Sequence, residues 1–132
     1  MQVTELLEAD ASAAVLVFSH FGETLRLIRD LIRDLPGRDG DVATLLGPTH
    51  ERDQAVARFQ AGKARVLLLP FASRRSSGLN LTAANHVVLA ERAVVPGEEG
   101  QAIGRARRLG QARQVHVWQF APSLPAQPAD SS

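Results

Sequence analysis

The segment QAIGRARRLGQ, residues 101–111, sets three arginines within the four positions 105 to 108. Wound as a helix at about 100° per residue, it brings Gln101, Arg105 and Arg108 within roughly 60° of one another. Ile103 and Ala106 then point away, toward a core, while Arg107 falls on neither side and stays solvated. One amide and two guanidiniums on a common face suit a multiply charged anion, because a planar guanidinium offers paired donors in a fixed fork. A second segment, SSGLNLTAAN at residues 76–85, places a glycine among small polar residues just beyond an apolar run. Backbone N–H groups can approach a phosphate closely at such a place.

Other chemistry is missing from the sequence. No GxxxxGK[ST] phosphate loop occurs, and the only lysine, Lys63, lies in AGKAR. Glu91 stands alone after an apolar run, and Glu98 and Glu99 read as the acidic first turn of a helix. His20, His50, His86 and His116 lack ligand-like spacing and there is no cysteine, so no metal site is expected. Ser19, Ser76 and Ser77 lie in no nucleophile elbow. If the arginines meet a nucleotide, another body must hold it.

The elements that position these residues follow from hydrophobic spacing. AAVLVF (13–18), VATLL (42–46), RVLLL (65–69), HVVLA (86–90) and QVHVWQF (114–120) read as strands. Between them, ETLRLIRDLIRDL (23–35) carries Leu25, Ile28, Leu31, Ile32 and Leu35 at helical spacing. HERDQAVARFQAG (50–62) and EEGQAIGRARRLG (98–110) complete the helices. Strands apolar on both faces and joined by helices predict an α/β fold, a mainly parallel sheet between two helical layers. Ligand sites in such sheets gather at the loops leaving the carboxyl ends of strands. Here those loops are SHFGE, PFASRRSSGLN and ERAVVPGEEG.

With 132 residues the chain fits one domain. Residues 1–12 read as a lead-in, 13–120 as the folded lobe and 121–132, rich in proline, alanine and serine, as a disordered tail. No run approaches the ~18 apolar residues of a membrane span, so no membrane partner is expected. The lack of cysteine fits an intracellular chain. Residues 1–61 carry a net charge of −4 and residues 62–132 a net +5. A basic second half is compatible with phosphate or nucleic acid as partner.

Five stretches together carry a resemblance: VLVFSHF (15–21), LLGPTHERDQAVARF (45–59), RVLLL (65–69), GLNLTAANHVV (78–88) and QAIGRARRLGQ (101–111). They resemble successive motifs of the second RecA-like lobe in Swi/Snf-type DNA translocases of the superfamily-two helicases. Within that branch the LLLP run and the V-x-V-W-x-F ending are most similar to SHPRH-like ubiquitin-ligase translocases. The resemblance implies a RecA-like, P-loop-NTPase-type three-layer lobe. It also implies that ATP and Mg²⁺ are bound mainly by an N-terminal RecA-like lobe of the same parent protein. Arg105 and Arg108 would be arginine fingers, with Gln101 and Gly78 helping to bind the nucleotide. Ser19, His20, Ser77, Asn80 and Thr82 would face the backbone of double-stranded DNA. Nucleosomes or other DNA-bound proteins would be further partners, and the location would be nuclear in a eukaryote. The sequence departs from the family pattern in three places: Arg107 replaces a histidine, Ser76–Ser77 replaces Gly-Gly, and VVPG (94–97) replaces an Asn-Pro segment. Those departures leave a second expectation standing, a degenerate lobe that binds DNA or protein without ATP turnover.

Overall fold

The chain builds its sheet around VLVFS, buried at all five positions as strand β1 (Val15–Ser19). The computed structural model describes residues 2–71, 81–91, 97–107, 111–121 and 124–128. In chain order the elements are α1 (Gln2–Ala9), β1, α2 (Gly22–Arg33), β2 (Val42–Thr44), α3 (Thr49–Gln60) and β3 (Val66–Pro70). They continue with β4 (His86–Leu89), α4 (Glu98–Gly104), β5 (His116–Ala121) and β6 (Leu124–Pro128). The strands form one sheet in the order β2-β3-β1-β4-β5-β6. All neighbouring pairs run parallel except β5 with β6, which is antiparallel. This is the α/β architecture expected from the sequence.

Period-two alternation sorts the core into two layers. Leu16, Phe18, Leu67, Leu69, Val87 and Leu89 face α3 and α4, where Phe59, Ala102 and Ala106 pack on them. Val15, Val17, Val66, Leu68 and Val88 face α1 and α2, which contribute Val3, Leu7, Leu25 and Ile32. In α2 the core stripe is narrower than the spacing predicts. Leu25 and Ile32 are buried, but Leu31 and Leu35 are exposed. The polar side of this helix carries its charges in the favourable sense, with Glu23 in the first turn and Arg33 in the last. α3 ends at Gln60, and Gly62, just past its cap residue Ala61, takes a φ of 78°, the left-handed conformation that commonly stops a helix.

Two terminal features differ from expectation. The lead-in forms α1, pinned at its end by Arg65, whose guanidinium donates to the carbonyls of Leu7, Asp10 and Ala13. These carbonyls lack partners inside a helix, so a basic side chain supplies them. The tail expected to be disordered includes β6, with Ala121 opposite Leu124 and Trp118 opposite Pro128. Proline and alanine composition suggests disorder, but prolines are tolerated on an edge strand. The arginine helix is also shorter than predicted, ending at Gly104 with turns at 105 and 106.

Candidate nucleotide- and DNA-facing site

The carboxyl ends of β1, β3 and β4 meet at one edge of the sheet. The Phe71 N–H donates to the Ser19 carbonyl at 3.3 Å, and the Ala90 N–H donates to the Phe18 carbonyl at 2.9 Å. Glu91 closes this corner. Its carboxylate accepts the Ser19 hydroxyl at 2.7 Å on Oε2 and the His20 N–H at 2.8 Å on Oε1. The same hydroxyl accepts the Phe21 N–H at 3.0 Å. The His20 ring stacks on Phe71, centroids 4.5 Å apart. Phe21 stands out at 59% exposure.

This geometry corrects one expectation. Ser19 is 0% exposed, so its hydroxyl is turned inward to Glu91 instead of being offered to a phosphate. It fixes the loop, while half-buried His20 lies nearer the surface. Glu91, which the sequence presented as a lone acid, is the residue that spacing missed. Its only signal was position: the first polar side chain beyond β4, level with the exit of β1.

The arginine segment is held from beneath. Leu81 donates its N–H to the Arg105 carbonyl at 3.0 Å. Gln111 donates from Nε2 to the carbonyls of Ala106 at 2.7 Å and Ala84 at 3.0 Å, and its Oε1 accepts the Arg113 N–H. The glutamine that ends the motif is therefore a brace between the two segments. Asn85 is a second brace, its Oδ1 accepting the Ala14 N–H at 2.8 Å. Arg105 is 5% exposed and lies with buried Ala102 and Ala106. The core side of the helix is thus rotated toward Arg105 relative to the predicted Ile103–Ala106 side. Gln101 is exposed, and Arg107 is exposed as expected while donating to the Val115 carbonyl at 3.1 Å. Thr82 is half-buried, next to Leu81. Ser77, Gly78, Asn80 and Arg108 lie outside the described residues, as do 94–96 of the VVPG segment. Among the described residues no three His, Cys, Asp or Glu side chains gather as a metal site.

The profile of the helicase conserved C-terminal domain family matches residues 1–110. The chain belongs to this family, in its Swi/Snf branch. An uncharacterized ATP-dependent helicase of Schizosaccharomyces pombe is 33% identical over 120 residues, covering 87% of this chain and 11% of that protein. The Sulfolobus solfataricus SWI2/SNF2 ATPase core, solved in complex with dsDNA, superposes with a TM-score of 0.69 at 28% identity. It covers 91% of this chain and 25% of that one. The C-terminal part of the Fun30 ATPase domain superposes with a TM-score of 0.73 at 23% identity, covering 89% of this chain and 39% of the other. The helicase lobe thus spans about a tenth of the length of the curated relatives it matches. The RecA-like fold class follows from these superpositions, and they do not separate an SHPRH-like subfamily from the rest of the Swi/Snf lobes.

Proposed function

We propose that this lobe completes the ATPase site of a duplex-DNA translocase. ATP and Mg²⁺ sit on an N-terminal RecA-like lobe of the parent protein. Arg105 and Arg108 reach them to stabilise charge developing on the γ-phosphoryl oxygens. Gln101 and Gly78 line the nucleotide side of the cleft. On the other side His20, Ser77, Asn80 and Thr82 face the DNA backbone, with Ser19 positioning the loop from inside. Contacts of that kind bind duplex with little sequence preference and weaken steeply with salt. Opening and closing of the two lobes through the ATP cycle advances the duplex. In a eukaryote the parent would work in the nucleus, on nucleosomes or other DNA-bound proteins.

The observation that carries this reading is the join between the two motifs. The Leu81 N–H bonds the Arg105 carbonyl, and Gln111 ties Ala84 to Ala106. A shift in the DNA-side segment therefore displaces the backbone that carries an arginine finger. The test is ATP turnover by the two-lobed parent with and without duplex DNA, comparing wild type with Arg108→Ala. A loss of about 10³-fold or more, with ATP binding kept, is expected of a finger. Equal turnover in both proteins would remove the finger assignment. Absence of DNA-stimulated turnover in wild type would leave a degenerate binding lobe.

A further inference from the structure

Arginines of α2 and α3 gather at the open lateral edge of the sheet, beside β2. α2 and α3 cover opposite faces of the sheet and both overhang the edge strand β2, leaving a groove of about 440 Å³ between them. Arg26, Arg29 and Arg33 line it from α2 and Arg58 from α3. The α2 residues are spaced i, i+3 and i+7, so they share one flank of the helix. A single carboxylate, Glu51, also lines the groove. Four guanidiniums against one acid leave a formal excess of three positive charges there.

Little of that charge is used internally. Arg26 and Arg33 are exposed and make no hydrogen bond or ion pair among the described residues. Arg29 pairs through Nε with the neighbouring Asp30 at 3.0 Å, which leaves its terminal nitrogens available. Arg58 donates from one nitrogen to the Gly40 carbonyl at 2.7 Å. Between the arginines the lining is mixed: Thr44 and Gln54 stand beside Val42, Ala43, Leu46 and Ala55, and of these four apolar residues only Leu46 is more than marginally exposed.

We propose that this groove is a docking site for an extended acidic segment of a partner protein. Charge complementarity selects an acidic ligand. The partly exposed Leu46 in the lining gives an aliphatic side chain a contact that a phosphate backbone cannot use, which favours a peptide that intersperses acidic with aliphatic residues. Arg26 and Arg33 are seven residues apart, about 10 Å along the helix, which matches carboxylates three residues apart on one face of a polyproline II-type chain. The chain itself has no acidic run longer than Glu98–Glu99 to fill the groove.

The probe is a fluorescein-labelled peptide, EVDEVDEVD, titrated with the chain at low salt. QVNQVNQVN serves as the neutral control and a 12-base-pair duplex as the nucleic-acid competitor. The acidic peptide is expected to bind and the neutral one to fail. Arg26→Glu with Arg33→Glu should weaken peptide binding about tenfold or more, as loss and reversal of two partly exposed pairs implies. Both side chains are exposed and unbonded, so the far-UV spectrum should be unchanged. The single Arg33→Gln variant gives a milder version, expected to weaken binding a few fold. The proposal is overturned if the acidic peptide does not bind, or if charge reversal leaves its affinity intact. It is equally overturned if the double substitution abolishes duplex binding while the peptide never competes, because the groove then serves nucleic acid.

Discussion

Glu91 shows how a residue outside any motif can organise one. Its carboxylate takes a hydroxyl from β1 and an N–H from the loop after it, joining the exits of two neighbouring strands. Hydrogen bonds to a charged group are worth about 1.5–3 kcal/mol each when broken. Glu91→Ala should therefore destabilise the lobe by roughly that amount in urea unfolding, and Glu91→Gln by less, since an amide oxygen remains to accept. His86 is a second residue with a measurable consequence. Burial, and then the charge of His116 stacked 5.3 Å away, hold its pKa below the ordinary 6.5. Asp10 pulls the other way and Arg113 adds to the lowering. The neutral ring accepts the Trp118 Nε1–H at 3.2 Å on Nδ1. With the folded pKa below the unfolded one, the unfolded chain binds more protons below pH 6.5, so stability falls as the solution is acidified through that window. The melting temperature should drop between about pH 6.5 and 5, and His86→Gln should flatten that slope. Asp10 is also shifted down by its bonds from Ser12, but it acts only below its ordinary value of 3.8 and leaves the histidine window clear.

At the scale of elements, the helices and strands with strong periodicity were legible and the marginal ones were not. VLVFS and VLLLP are buried along nearly their whole length, and a run of that kind has few alternatives inside a parallel sheet. α1 was missed because its eight residues bring only Val3 and Leu7 fully into the core, too few to stand out from a lead-in. Its stability comes from tertiary contacts that spacing cannot reveal, chiefly the Arg65 guanidinium on its last carbonyls. Leu7→Ala is predicted to cost about 2–5 kcal/mol, read as a shift of the urea midpoint, because the side chain is fully enclosed. A cost below about 1 kcal/mol would mean that α1 is not docked in solution. The rotation of α4 was illegible for a related reason. Helical spacing placed Gln101 and Arg105 together, yet which side faces the core depends on where Leu81 and Gln111 hold the chain. Ser19 reads from sequence as a surface hydroxyl for want of any sign that Glu91 would meet it across the sheet.

For the whole molecule, the family motifs carried most of what the sequence disclosed, and sheet topology supplied what they left out. The order β2-β3-β1-β4-β5-β6 places β1 between β3 and β4, so three loops from distant parts of the chain converge at one edge. The same order leaves β2 at a lateral edge of the sheet, parallel to β3, where the arginine groove forms between α2 and α3. The central claim is that this lobe supplies what a first lobe lacks. The most direct measurement is duplex-stimulated ATP hydrolysis by the parent's first lobe alone, compared with that lobe joined in one chain to residues 1–132. The account predicts ATP binding by both and turnover at least about 10³-fold faster in the joined protein, the contribution expected of arginine fingers. Equal rates in the two proteins would contradict it.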